Sequence, residues 1–205
     1  SDYDGWAKLG CEGWSWNDVL PYFKKAEDQQ HGASDLHGKG GPLTVSDLRY
    51  HNPLCDTFLD AARELQLPFT DDFNGPKQEG MGYYQVTQRG GQRCSAAVAY
   101  LHPAMTRSNL TVISDAHAER ITFEGKRATG VRYRRKGVSE TVSAKREVIV
   151  SAGAFQSPQL LMLSGVGPAD HLAKNGINVV ADVPEVGLNL QDHLDVDVVY
   201  EIHRP

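Results

Sequence analysis

The 205-residue sequence reads as a mixed α/β chain, helical and loop-rich at first, then strand-rich, then alternating helix and strand. Three observations predict this. Apolar residues recur at helical spacing from Leu54 to Leu65, and cap residues mark further helix starts before residue 105. Five short strand-like segments then follow one another between residues 109 and 153. The last of them, "EVIVSAG", ends in a small-residue turn that leads into an apolar helix. Its consecutive Val148, Ile149 and Val150 fit a strand buried on both faces of a parallel sheet, whereas Val131 and Tyr133 alternating with Arg132 and Arg134 fit an antiparallel sheet with one wet face. The predicted architecture is mixed α/β, part of an open parallel sheet carrying an antiparallel meander, with helical segments ahead of it.

In order along the chain, Ser15 followed by Asp18 predicts a capped helix start. Pro21 restricts Leu20 and predicts a split into two short helices. Gln29 to Pro42, rich in Gly, His, Ser and Asp, reads as an exposed loop. Asn52-Pro53 pairs a cap with a first-position proline, and Leu54, Phe58, Leu59, Ala62 and Leu65 then mark one buried stripe. "DDFNGPKQEGMGYY" reads as loop, and Ser95 predicts another short helix ending before Pro103.

The five strand candidates are "NLTVIS", "AERITFEG", "KRATGVRYRR", "ETVSA" and "EVIVSAG". After them come a turn at Gly153, a helix opened by Ser157-Pro158, and a short helix from Pro168 stopped by Gly176. A strand follows, and the sequence closes on a loop and an alternating strand within "PEVGLNLQDHLDVDVVYEIHRP".

Composition narrows the function classes. Hydrophobic residues make up 40% and charged residues 23%, enough for a soluble domain with a core. A formal charge of -5 argues against a nucleic-acid partner, and no polybasic cluster addresses a membrane surface. No apolar run approaches the roughly 20 residues that span a bilayer. Cys11, Cys55 and Cys94 lack metal-type spacing and read as three reduced thiols of an intracellular protein. The opening "SDYDGWAKLG" has no initiator Met and no signal peptide, and the chain is expected to be a piece of something longer.

The chemistry suggested by the residues centres on the turn after "EVIV". In an open parallel sheet, ligands bind beyond the carboxyl ends of the strands. Ser151, Ala152 and Gly153 stand at such an end, where small side chains let the backbone approach a flat or charged ligand. The following helix would aim free N–H groups at the same edge. A plain strand-to-helix turn accounts for these residues equally well. A dinucleotide site also needs G-x-G-x-x-G between a strand and a helix, and it is absent. Gly38-Lys39-Gly40-Gly41 has the wrong spacing, Gly80-Met81-Gly82 leads into "YYQV", and Gly165-Val166-Gly167 has Asp170 in the third place. Any phosphate-gripping loop therefore lies outside this chain.

Other constellations reduce to structural readings. Asp192-His193 are neighbours in an extended loop and point in different directions. His31, His37 and His51 form no metal motif and read as exposed loop histidines. Ser164 is not a nucleophile elbow, because Met162 replaces the required Gly. "RYRRKG" reads as the wet face of the meander.

One stretch carries a specific resemblance. "GAFQSPQLLMLSGVG" fills every constrained place of the second signature of the glucose–methanol–choline (GMC) flavin oxidoreductases. These are Gly153, Ala154, Ser157, Pro158, Leu160, Leu161, Ser164, Gly165, Val166 and Gly167. "DYDGWAKLGCEGWSWNDVLPYFKKAED", "GYYQVTQRGGQRCSAAVAYLHPA" and "VGLNLQDH" resemble other family segments, particularly of choline dehydrogenase-like members. The resemblance covers essentially the whole chain and implies its central placement in a longer enzyme.

The resemblance implies a partial FAD-binding Rossmann-like sheet with its meander and part of the substrate-side helices. It divides the chain into a substrate-side segment at 1–108, the C-terminal half of the FAD-binding domain at 109–185, and the start of the substrate-binding domain at 186–205. It implies FAD as cofactor, bound through Ala118, Ser151, Ala152 and Gly153. Ala118 stands where relatives use the backbone of a Val to hold the adenine. Tyr84 and Gln85 are implied as substrate-side residues. No catalytic residue and no metal ligand is assigned within the chain, since the family's catalytic His segment is not matched here. The implied activity is transfer of hydride from a primary alcohol, choline or another, to flavin, with the electron acceptor open. A non-catalytic FAD- or partner-binding module is the alternative, and a nicotinamide-dependent dehydrogenase a third. The expected compartment is the cytoplasm, with membrane association left open for a full-length enzyme.

Overall fold

The computed structural model describes residues 2–199 and 201, and the chain separates into two units, Ser1–Thr111 and Val112–Pro205. The first begins with helices α1 (Asp2–Lys8) and α2 (Trp16–Ala26). They meet through aromatic rings: Tyr3 lies 5.7 Å from Phe23, and Trp16 stacks on Phe23 at 6.4 Å. Asp4 accepts the Trp16 backbone N–H at 2.9 Å, and Asp18 accepts that of Ser15 at 3.1 Å, so the expected cap forms. The expected split at Pro21 does not occur. Pro21 lies inside one continuous helix, although a proline there removes a backbone hydrogen bond and costs about 3 kcal/mol. The Trp16 and Phe23 rings, one on each side of it, are joined through Tyr3 and hold the two halves together.

Strand β1 (Glu27–Gln29) pairs in parallel with β2 (Leu43–Val45), Glu27 opposite Leu43. The stretch from Gln29 to Pro42, read as an exposed loop, instead starts on β1 and is partly covered, with Gln29 and His37 buried. Helix α3 (Pro53–Glu64) starts as expected, with the Asn52 side chain accepting the Leu54 N–H at 3.0 Å. Its apolar stripe is only half covered. Leu59 and Ala62 are buried, whereas Leu54, Phe58 and Leu65 are 53%, 60% and 74% exposed. Strands β3 (Gln88–Arg89) and β4 (Gln92–Arg93) form a tight antiparallel hairpin. The Ser95 hydroxyl then accepts the Val98 N–H, and a π-helical turn, Ala97–Leu101, runs into α4 (His102–Ala104). This helix passes through Pro103 rather than ending before it, since a proline in the first turn of α4 has no donor to lose.

The second unit is built on strands β5 (Ala116–Glu124), β6 (Arg127–Arg135) and β7 (Val138–Ser143), an antiparallel meander in that order. Its register skips Glu119 between the pairs Ala118–Tyr133 and Arg120–Arg132. The bulged Glu119 receives Arg132 Nε at 2.9 Å, Arg134 Nε at 2.7 Å and the Ser139 hydroxyl at 3.0 Å. The wet face expected of "RYRR" is thus a small ion-pair network.

Of the five expected strands, the outer two pair with nothing among the described residues. "NLTVIS" is without regular structure until the turn into β5, and Val112 and Ile113 are 51% and 40% exposed. "EVIV" was expected to be buried on both faces, but Ile149 is 77% exposed. A parallel strand needs neighbours on its edges, and the described residues supply none here.

Helix α5 (Gly153–Leu163) opens at Gly153, five residues before the expected first position at Pro158, which it contains. Ser157 still acts as a cap from within, accepting the Ala152 N–H at 3.0 Å. Strand β8 (Val166–Gly167), helix α6 (Ala169–Lys174) and strand β9 (Ala181–Asp182) follow, β8 and β9 parallel, with Leu172 fully buried. The closing alternating strand is not formed among the described residues. Val196, Val198 and Val199 are 71%, 70% and 88% exposed, while Tyr200 and 202–205 lie outside the described residues.

Candidate functional site

The signature stretch fixes one end of α5 and leaves the other bare. At the C-terminal end, Ser164 is buried, donates to the Leu160 carbonyl and accepts the Ile121 backbone N–H at 2.8 Å. Gly165 has φ +88°, and a Cβ there would stand 2.4 Å from the Asn178 carbonyl oxygen. Its own carbonyl receives Val180 N–H at 2.8 Å and Ala181 N–H at 3.1 Å, bringing β9 beside β8. The constrained Ser and Gly of "LSGVG" are therefore explained by hydrogen bonding and close backbone approach.

At the other end, Ser151, Ala152 and Gly153 are all exposed. Gly153 adopts φ +86°, and a Cβ placed on it would meet nothing nearer than Gln156 Oε1 at 3.9 Å. The result is a stretch of bare backbone at the positive end of an 11-residue helix that has no acidic side chain in its first turn. Ala118 lies in the same unit, exposed on β5 beside the Glu119 bulge.

The first unit contains an open cleft of about 750 Å³ whose wall includes Tyr84, Gln85, Tyr83, Asp47, His31 and His37. Tyr84 is 68% exposed, and its ring lies 4.4 Å from that of Phe73. Gln85 is held on both sides, donating to Asp47 Oδ1 at 2.9 Å and accepting from Gln29 Nε2 at 3.0 Å. The Gln85 and His31 hydrogen bonds hold the Asp47 carboxyl below its usual range. Tyr83 donates to Asp56 Oδ1 at 2.6 Å, and this bond pushes its phenol up to about 12. Its ring stacks on His51 at 3.8 Å.

His37 departs from the exposed-loop reading. It is 9% exposed, with Glu27 Oε1 3.0 Å from Nδ1 and Asp72 Oδ2 2.9 Å from Nε2. Asp72 lies 35 residues away, so no local pattern announced the contact. Tyr84 and Gln85, singled out by resemblance, both line the cleft, whereas the Gln29–Gln85 link across 56 residues left no local signal.

The remaining expectations concern residues without a shared site. Asp192 Oδ1 accepts the backbone N–H of His193 at 2.8 Å, not a ring proton. Cys11 and Cys55 are exposed free thiols and Cys94 a buried one. Among the described residues no cluster of three or more His, Cys, Asp and Glu could hold a metal, and no helix is long and apolar enough to cross a membrane.

Comparison with known proteins supplies the context. The GMC oxidoreductase family profile matches residues 1–195. The chain is 48% identical over 204 residues to the mitochondrial choline dehydrogenase of Homo sapiens, covering 100% of this chain and 34% of that protein. It is also 48% identical over 201 residues to an alcohol dehydrogenase [acceptor] of Pseudomonas putida, covering 97% of this chain and 36% of that one. Among solved structures, an FAD-dependent oxidoreductase from Chaetomium thermophilum matches with TM-score 0.83 and 32% identity, over 93% of this chain and 36% of the other. The chain thus spans about a third of the length of the relatives it matches.

Proposed function

The chain belongs to the GMC oxidoreductase family, and we propose that it is the central part of an FAD-dependent enzyme that oxidises a primary alcohol, choline or a close analogue. The observation that carries this reading is the match along essentially the whole chain to choline and alcohol dehydrogenases. The non-catalytic module has no separate support, because the similarity stops at no boundary within the chain.

The turn Ser151–Ala152–Gly153 fits the adenine half of FAD. Its backbone is exposed, and the space beside Gly153 is open where a Cβ would otherwise stand. Ala118, exposed at a bulge, can offer backbone groups alone, which suits a contact that does not depend on the side chain. FAD held by Ser151, Ala152, Gly153 and Ala118 would supply the two-electron acceptor for the alcohol's hydride.

This chain's own residues bind and orient. Ser164 and Gly165 fix α5 against β5 and β9, and so hold the Gly153 turn in place. On the proposed substrate side, Tyr84 offers an aromatic face and Gln85 a fixed amide. The base that takes the hydroxyl proton lies, in this proposal, in the segment of the intact enzyme beyond this chain. The boundaries at 108 and 185, the cytoplasmic setting and a membrane-associated variant of it belong to the same proposal.

Anaerobic mixing of the intact enzyme with alcohols tests the reading. Bleaching of oxidised flavin by a primary alcohol is expected. A flavoprotein left oxidised by every alcohol tried would refute it.

A further inference from the structure

The His37 side chain is 11% exposed, and both of its ring nitrogens face carboxylates. Nδ1 lies 3.0 and 3.1 Å from the two Glu27 oxygens, and Nε2 lies 2.9 Å from Asp72 Oδ2. Ionised carboxylates only accept, so both nitrogens are satisfied together only in the imidazolium. The carboxylates are anchored in turn. Glu27 Oε2 accepts the Gly38 N–H at 2.8 Å, and Asp72 Oδ1 accepts the Asn74 N–H at 2.9 Å. Strand β1, the loop carrying His37 and the turn at residues 70–75 converge on one cation.

A third neighbour makes its charge state consequential. Gln29 Nε2 sits 3.4 Å from Nδ1. While Nδ1 carries a proton it cannot accept, and the Gln29 amide donates instead to Gln85 Oε1 at 3.0 Å and Glu27 Oε1 at 3.4 Å. A bare Nδ1 would become an acceptor for Gln29 and would take the ring N–H away from Glu27, which keeps the Gly38 N–H. Gln85 Oε1 would then compete with Nδ1 for the Gln29 amide, while the Gln85 amide still donates to Asp47 at 2.9 Å and to Gln29 Oε1 at 3.3 Å.

We propose that His37 is a positioning residue: held as an imidazolium between Glu27 and Asp72, it sets the Gln29 amide and through it orients Gln85 on the cleft wall. Its use in catalysis rests on the reading that Gln85 faces the substrate side. Burial opposes the charge on His37, but the hydrogen bonds to Glu27 and Asp72 outweigh it and raise its pKa. The ionisable groups around this unit are Glu27 on β1, Asp72 on the turn, and Asp47 with His31 beyond Gln85. Lys39 bonds the Gln29 carbonyl and Asp28, and Lys24 of α2 bonds the Ser34 carbonyl.

The test uses the intact enzyme with ¹⁵N-labelled histidine and glutamine. Both His37 nitrogens should be protonated below a midpoint that lies above the ordinary value of about 6.5. The Gln85 side-chain amide should shift with that same midpoint in the wild-type protein, which requires no variant to fold. Gln29→Leu should uncouple the two titrations, and both Gln29→Leu and Gln85→Leu should raise KM about tenfold, a loss of one charge-linked hydrogen bond. A His37 midpoint at or below the ordinary value, or a Gln85 amide indifferent to its titration, would overturn the proposal. If Gln85→Leu leaves KM unchanged while the titrations stay coupled, His37 still positions Gln85 and the substrate-side reading is what fails.

Discussion

The Ser164 hydroxyl accepts the backbone N–H of Ile121 at 2.8 Å, joining the end of the signature helix to the first strand of the meander. Ile121 is itself buried and pairs with Val131, so this one bond connects α5 to the centre of the sheet. The signature serine is therefore a structural residue whose hydroxyl both donates and accepts. Ser164→Ala should leave the Ile121 N–H unpaired in a buried place and destabilise the second unit by about 1–3 kcal/mol. Denaturant unfolding of the intact enzyme measures it, and a change within a few tenths of that unit would remove the role.

The two glycines bounding the signature should respond differently to a side chain. Gly165→Ala drives a Cβ to 2.4 Å from the Asn178 carbonyl and should destabilise by several kcal/mol or prevent folding. Gly153→Ala meets only open space and should cost about 1–2 kcal/mol, from its positive φ. A thermal-melt comparison of the two variants separates close approach from backbone conformation.

Gly153→Val should also lower FAD occupancy in the intact enzyme, because its branched side chain fills the open face of the turn. The flavin-to-protein absorbance ratio after gel filtration reads this directly. Unchanged occupancy would mean that the turn is only a connection.

Stability should depend on pH through His37 in a definite direction. Its folded pKa is raised, so its contribution is complete below the unfolded value of about 6.5. It is lost as pH rises through the folded pKa. Unfolding free energy should therefore fall over that window in the wild type and lose this component in His37→Gln. Parallel curves for the two proteins would contradict it.

Much apolar surface is exposed among the described residues. Ile149, Phe155 and Leu194 are 77%, 74% and 95% exposed. The chain expressed alone should bind a hydrophobic dye strongly and retain little or no FAD, whereas the intact enzyme should bind little dye. A monomeric, stoichiometrically yellow isolated chain would contradict the central-fragment reading.

How much was legible follows from the range of the interactions. The meander was readable because alternation and turn residues act within a few positions, and Asn52-Pro53 gave its helix start for the same reason. Pro21 misled because the local cost of a proline was outweighed by rings brought from Tyr3, Trp16 and Phe23. "EVIV" carries the pattern of a buried strand, yet its ladder partners are not among the described residues. The Gly153 turn was visible as small residues in sequence. The His37 clamp was not, since its parts come from Glu27 and Asp72 and its environment looks like loop.

The measurement that bears most directly on the proposed activity is anaerobic reduction of the intact, FAD-loaded enzyme by choline and other primary alcohols, followed by flavin absorbance. Stoichiometric loss of the oxidised flavin band with at least one of them is the expected result. A fully FAD-loaded enzyme whose spectrum no alcohol changes would contradict the account.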